Sequence, residues 1–351
     1  MTFRIVQWAT GAMGRACLRG ALDRRGLEVV GAFVYSESKV GQDVGALVRR
    51  PPIGVTATDS IDEILALDAD VVIHAARLQE SYDGHDDDIV RLLESGKNVV
   101  SLNGNTYPSH WRPERRSRLE QACQKGGVSF MGAGLNPGFA AEQLAVVASG
   151  VCLDVSHVII SEVVMCNLMR SPDYVFSLLG FGSTPGAIDP NGDQWAPAST
   201  LNDMFEEVVA SLCGRLGFPI TGVDHNHRML PTDVDLEVGA GLIRAGTVSH
   251  LDWCWRGMVG ASAACELRIA WAMDRTHVHR RGEETWRVQI DGTPSVDLSF
   301  ELGLPAGLEG RTSVEQLGVA GAVLNAIPYL AEASPGVLES PSSAPWRYVA
   351  Q

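Results

Sequence analysis

The stretch "FRIVQWATGAMGRACLRGAL", residues 3–22, decides the fold. Residues 3–9 form a short apolar run of the kind that makes a buried parallel strand. A turn of small residues follows, and then Met13, Cys17, Ala21 and Leu22 recur at helical spacing. The turn "ATGAMG" matches the pattern G-x-G-x-x-G with Ala9 in the first place and Gly11 and Gly14 in the others. Gly11 lets the backbone approach a pyrophosphate, and Gly14 lets the helix close on the strand. The helix start adds free N–H groups and the positive end of its dipole. The motif by itself is generic. Placed between a strand and a helix at the head of an α/β domain, it points to a dinucleotide, with Gly11, Ala12, Met13 and Gly14 as the expected contacts. The plainer reading is a tight turn without a ligand.

The grammar repeats outward from this unit. "LEVVGAFVYS" (27–36) and "DVVIHAA" (70–76) read as buried strands, and "SIDEILALDA" (60–69) as a helix started by Ser60 with Glu63 three residues on. Residues 86–102 read as helix, Gly96 stop and strand, and 112–134 as the same unit with Pro113 in the first helical turn. Strands alternating with helices make βαβ units and a parallel sheet. Near Asn136 the pattern changes to β-rich runs at 157–166, 246–259, 265–273 and 285–292, with one helix at 201–217 ending at Gly217. Several of these runs alternate, as an antiparallel sheet with one covered face does. Helical character returns near residue 310 in a small-residue segment suited to close packing on the first domain. The expected fold is α/β: a Rossmann-type doubly wound parallel sheet over 1–135 plus 310–351. An α+β domain on a mainly antiparallel sheet is inserted at 136–309. The Ser/Pro-rich stretch 334–346 reads as a surface tail.

Composition limits the partners. The chain has 351 residues, 45% hydrophobic, and a formal net charge of -14. Such a charge repels nucleic-acid backbones and anionic membranes. Seven scattered cysteines without a C-x-x-C pair fit a reduced compartment and no zinc ribbon. With no signal-peptide layout and no apolar run long enough for a bilayer, the expectation is a soluble cytoplasmic protein.

The end of the second predicted strand bears on the cofactor. "VYSESKVG" places Ser36, Ser38 and Lys39 where a 2′-phosphate would lie, while Glu37 can hold a ribose hydroxyl. NADP is favoured, with NAD as the alternative. Ala75 and Ala76, after the strand at 70–74, are small enough to let a dinucleotide approach. His74 reads as a packed strand residue. "MGAGLNPGF" (131–139) lies at the junction of the two domains, with Gly132 and Gly134 permissive, Pro137 stiff and Asn136 offering a donor and an acceptor.

The order "WATGAMGR", "KNVVSLNGNTYP", "GAGLNPGF" and "NAIP" resembles the 2,4-diaminopentanoate dehydrogenase and native amine dehydrogenase family, whose N-terminal domain is like that of dihydrodipicolinate reductase. The resemblance runs over nearly the whole chain. It implies a homodimer, a sheet domain over the nicotinamide, and NAD(P)-dependent interconversion of ketone and amine on a small apolar ketone, imine or amine. It also implies that Asn136, Pro137 and the region of Asn325 lie at the nicotinamide end of the cofactor. In the family pattern the turn before "YP" carries a glutamate; here it reads Asn103, Gly104, Asn105, Thr106. An amide orients a substrate but takes up no proton at neutral pH. That departure leaves three enzymatic options: a preformed iminium, a carbonyl with Tyr107 or His110 as proton donor, or a recruited acid such as Glu142 or Asp173. The alternative from another class is a non-catalytic NADP-binding sensor or scaffold. Asn103 is expected on the cofactor, and Asn105, Tyr107 and His110 on the substrate.

Other clusters are read as structural. His225 and His227, and His277 and His279, sit at i, i+2 without a third ligand, and no metal is expected. Trp253, Trp255, Trp271 and Trp286 read as sheet core. Leu168, Met169, Tyr174 and Phe176 are expected to wall or lid an apolar substrate pocket, with Gly180 and Gly182 as hinges.

Overall fold

The computed structural model describes residues 2–79, 81–192, 194–278, 286–304, 306 and 312–341. The chain opens with β1 (Phe3–Trp8), α1 (Ala12–Asp23), β2 (Leu27–Phe33), α2 (Val44–Leu47), β3 (Ala57–Thr58) and α3 (Ile61–Ala66). Then come β4 (Val71–His74), α4 (Asp86–Glu94), β5 (Asn98–Ser101), α5 (Pro113–Gly126) and β6 (Ser129–Gly132). Next are α6 (Leu144–Ser149), β7 (Asp154–Met165), α7 (Ala196–Leu216), β8 (Gly222–His225), β9 (Arg228–Pro231), β10 (Leu236–Val238) and β11 (Gly241–Ile243). The series ends with β12 (Val248–Val259), β13 (Ser262–Ala272), β14 (Trp286–Thr293), β15 (Val296–Phe300), α8 (Val314–Glu332) and β16 (Gly336–Val337). Two compact units emerge, 1–143 with 302–351 and 144–301. The boundaries expected from sequence lay at 135/136 and 309/310.

In the first unit the sheet order is β16-β6-β5-β4-β1-β2-β3, and every pairing is parallel. The chain leaves β1 toward β2 and β3, then returns to lay β4, β5 and β6 on the other side. Ligands of such sheets lie in the crevice beyond the strand ends at that reversal. Ile5, Val6, Val71, Val72, Ile73, Val99 and Val100 are all fully buried, as strands covered on both faces require. The small residues of α8 let it close on α1: a Cβ on Gly20 would lie 2.6 Å from Leu324 Cδ1. Ser60 caps α3, its Oγ accepting from Glu63 N at 3.3 Å, and Gly96 turns the chain at φ 84°. On the other face, the ion pairs Asp86–Arg115, Asp87–Arg118 and Glu94–Lys125 stitch α4 to α5, and Asp83–Arg112 joins the residues just before them. Only Asp86–Arg115 is buried, with side chains 6% and 8% exposed. Removing one partner of such a pair costs about 3–5 kcal/mol, against about 0–1 for the exposed pairs.

The second unit carries the order β15-β14-β7-β13-β12-β8, with β9 also on β12. Its pairings are antiparallel except at the centre, where β7 and β13 run parallel. The sheet is therefore mixed, since α7 and five strands separate β7 from β13 along the chain. One face buries Ile160, Trp253, Trp255, Leu267, Ile269 and Val288. α7 lies on it, with the rings of Phe205 and Trp255 4.6 Å apart and Cys213 Sγ 2.5 Å from where a Cβ on Gly257 would stand. The opposite face is laced by Asp224–Arg256, Glu266–Arg268 and Arg287–Asp297. Among the described residues no helix is long and apolar enough to cross a membrane.

His74 ends β4 inside the first unit, 1% exposed, its ring 6.1 Å from Trp8 and 4.9 Å from His85. Burial, with a smaller push from His85, lowers its pKa from 6.5 to about 3. Between those values the unfolded chain binds a proton that the folded chain refuses. Stability therefore falls as pH falls below 6.5, by about 1.4 kcal/mol per unit from this group. Urea unfolding at pH 7 and pH 5 reads the effect: His74→Phe should lose less stability than the parent over that interval, and equal losses would contradict the assignment.

Candidate functional site

The site starts from a strained corner. Ala9 adopts φ 69°, which costs a residue with a Cβ about 1–3 kcal/mol. Its N–H donates to Phe33 O at 2.9 Å, and its carbonyl accepts from Gln7 Nε2 at 3.0 Å. Gln7 is fully buried, so the corner is held from within the core. That carbonyl lies only 2.2 Å from where a Cβ on Gly14 would be, so only glycine lets α1 seat against β1. A Cβ on Gly11 would meet no protein atom within 4 Å. α1 starts without a side-chain cap and without an acidic residue in its first turn. Its unsatisfied N–H groups and positive dipole end suit an anion.

The loop after β2 adds cations. Lys39 Nζ donates to Thr10 O and to Thr10 Oγ1, both at 3.0 Å, and so spans the glycine corner. Burial, and then the charge of Arg15, hold the Lys39 amine below the usual lysine range. Arg15 stands in the first turn of α1, against the helix dipole. Sequence reading missed Arg15, although it follows directly on the motif. Two like charges crowded at a helix start are relieved by a bound anion. Ser36 Oγ and Ser38 Oγ lie 2.8 Å apart beside them.

The turn after β5 treats its two asparagines differently. Asn105, at φ 61° and 3% exposed, is fully engaged. Its N–H donates to the Tyr82 hydroxyl at 2.6 Å, and its carbonyl accepts from Gly132 N at 2.7 Å. Its Nδ2 donates to Asn103 O at 3.0 Å and Ser101 Oγ at 3.3 Å, and its Oδ1 accepts from Arg115 Nη2 at 2.8 Å. The same guanidinium bonds Asp86 through two nitrogens at 2.8 and 2.9 Å and lies 4.3 Å from the Trp111 ring. Asn105 is thus a keystone of the turn: its amide is spent inside the protein. Asn103 is half-buried; its Nδ2 donates to Ala76 O at 3.0 Å and its N–H to Ser101 Oγ at 3.2 Å. Beyond it, Tyr107 is half-buried and His110 exposed, and Ser340 N donates to Thr106 O at 3.0 Å.

The 131–139 signature closes the same edge of the unit. Gly132 is crowded, since a Cβ would stand 1.8 Å from Gly104 O. Asn136 and Pro137 are extended, and Gly138 turns the chain at φ 118°. A small cavity between this segment and α8 is lined by Met131, Ala133, Gly134, Phe139, Gln143, Ala322, Ala326, Ser340 and Pro341. Glu142 is 1% exposed.

Other expected residues lie elsewhere. Asn325 Oδ1 accepts from Arg24 Nη1 at 2.7 Å. Arg24 follows the last residue of α1, roughly 18 Å along that helix from the glycine turn at 1.5 Å per residue. In the second unit Leu168 is 80% exposed, Tyr174 is exposed and Met169 half-buried, while Phe176 packs 3.4 Å from a Cβ built on Gly182. Asp173 is exposed. His225 and His227 stack at 5.0 Å, but His227 Nε2 bonds Asn202 Oδ1 at 2.9 Å and its Nδ1 accepts from Cys254 N at 3.1 Å. Trp253 and Trp255 share a face as expected, 6.0 Å apart. Among the described residues no three His, Cys, Asp or Glu side chains group as a metal site. His279 and residues 342–346 fall outside the described residues.

Comparison with known proteins agrees with the fold. The family model "Dihydrodipicolinate reductase, N-terminus" matches residues 5–128. An amine dehydrogenase of Streptomyces virginiae is 26% identical over 95% of this chain and 94% of its own. A 2,4-diaminopentanoate dehydrogenase of Acetoanaerobium sticklandii is 23% identical over 95% of this chain and 91% of its own. The structure of an amine dehydrogenase from Mycobacterium smegmatis covers 99% of this chain and 98% of its own with a TM-score of 0.78 at 21% identity.

The two glycines separate packing from ligand space. Gly14→Ala should lower stability by about 1–3 kcal/mol, because its Cβ meets fixed backbone. Gly11→Ala should melt with the parent yet bind whichever of NADH and NADPH the parent binds at least tenfold more weakly by calorimetry. Loss of stability at Gly11, or unchanged binding there, would contradict the reading.

Proposed function

We propose that this chain, related along its length to amine dehydrogenase and 2,4-diaminopentanoate dehydrogenase, is an NADPH-dependent oxidoreductase acting on a C=N or C=O carbon of a small or medium, largely apolar substrate. The observation that carries the reading is the uncapped start of α1, with Gly11 open and Lys39 and Arg15 beside it. The diphosphate is bound by the first N–H groups of α1. The 2′-phosphate is bound by Lys39, Arg15, Ser36 and Ser38, which favours NADP over NAD. When bound, the nicotinamide supplies the hydride. Ala75 and Ala76 leave room for the cofactor, and Asn136 and Pro137 shape the pocket for its amide. Asn103, pinned to Ala76 O, faces the crevice beyond β4 and β5.

The turn 103–106 holds no carboxylate, and Asp86 is already committed to Arg115. A substrate that arrives as a preformed, protonated imine needs no base to assemble it. The protonatable side chains of this stretch are Tyr107 and His110, and they are the donors for a carbonyl substrate. Leu168, Met169, Tyr174 and Phe176 supply apolar substrate contacts. The chain works as a homodimer in the cytoplasm; light scattering at twice the chain mass checks the assembly.

NADPH oxidation is measured against ketones, with and without ammonium, and against cyclic imines. Turnover of a cyclic imine without ammonium is expected; NADPH binding with no turnover on any compound would contradict an enzyme of this type. Lys39→Ala and Arg15→Ala should each raise KM for NADPH by about 10–100-fold and leave NADH nearly unchanged, as loss of a charge-assisted bond predicts. Equal effects on both coenzymes would reject the assignment of the 2′-phosphate.

A further inference from the structure

We propose that Asn103 is the residue that selects a C=N substrate bearing an N–H over its carbonyl counterpart, by accepting that hydrogen on Oδ1. The inference rests on the proposed function and names the substrate feature that its site recognises.

The two amides of the turn supply the argument. Every hydrogen-bonding group of Asn105 is satisfied by protein, so that side chain has nothing left for a ligand. Asn103 has the opposite balance. Its Nδ2 is fixed on Ala76 O at 3.0 Å and its backbone N–H on Ser101 Oγ at 3.2 Å, while no described residue donates to Oδ1. A carboxamide is planar, so pinning its nitrogen also aims its oxygen. The residue is half-buried and sits past the carboxyl end of β5, tied to the loop past the carboxyl end of β4. Of those two strands β4 pairs with β1, where the strand order reverses, and β5 lies next to β4. Asn105, held by Arg115 and Tyr82, keeps the turn rigid and donates its Nδ2 to the backbone carbonyl of Asn103.

A fixed acceptor oxygen discriminates by sign. A protonated imine offers N–H and positive charge, so the bond is charge-assisted. A carbonyl oxygen brings only lone pairs, which an acceptor repels, and discrimination of this kind follows from leaving a polar group unpaired. The amide takes no proton in this role: the imine arrives protonated, and after reduction the product amine still donates N–H to the same oxygen.

The test uses the full chain with saturating NADPH and two probes of equal charge, the 1-pyrrolinium ion, which carries N–H, and the N-methyl-1-pyrrolinium ion, which does not. A simple ketone is the third substrate. The parent should favour 1-pyrrolinium over the N-methyl ion in kcat/KM by about 10-fold or more, the value of one charged hydrogen bond. Asn103→Ala should erase that preference, leave the dissociation constant for NADPH within twofold, and raise kcat/KM for the ketone, since the repelling acceptor is gone. Asn103→Ser, which keeps a small acceptor, should restore part of the preference. A preference that survives in Asn103→Ala overturns the proposal. So does an equal loss on all three substrates with weakened NADPH binding, which would assign the oxygen to the coenzyme instead. Should the parent bind NADPH and reduce none of the three, the proposed function itself fails, and that result is distinct from both.

Discussion

The contact between Gly14 and the carbonyl of Ala9 sets the rest of the first unit. It lets α1 start directly at the end of β1, and it leaves the helix's first N–H groups facing outward rather than into a side-chain cap. The strand end is bent to make this possible, and the cost of Ala9 at φ 69° is offset by two hydrogen bonds from the core. Three features suit an anion: open space at Gly11, no acid in the first turn, and the cations Lys39 and Arg15 at the glycine corner.

A second constraint shapes the turn after β5. The buried Asp86–Arg115 pair extends one guanidinium nitrogen to Asn105, so the turn 103–107 is built on an ion pair between two helices. Buried pairs of this kind hold geometry more than they add stability. In this chain the local carboxylate lies beneath the turn, on α4, and of the turn's two amides only that of Asn103 keeps an oxygen to which no described residue donates. On the proposed function, a turn of that composition suits substrates that bring their own charge and proton.

Much of this was legible in the chain because the signals are local. The glycine motif, the Ser60 cap, the turn at Gly96 and the alternation of the second-unit strands each depend on residues a few positions apart. What could not be read depends on partners distant in sequence. Asn103 and Asn105 look alike until Arg115, Tyr82 and Ala76 are brought to them. Asn325 was carried to the cofactor by resemblance, whereas Arg24 holds it at the far end of α1. The parallel pairing of β7 with β13 is likewise invisible to periodicity, which reports faces and not directions.

A crystal structure with NADPH tests the central claim most directly. The account predicts diphosphate oxygens within hydrogen-bonding distance of the first N–H groups of α1, with the 2′-phosphate between Lys39 and Arg15. A diphosphate bound elsewhere, or a 2′-phosphate directed away from both cations, would contradict it.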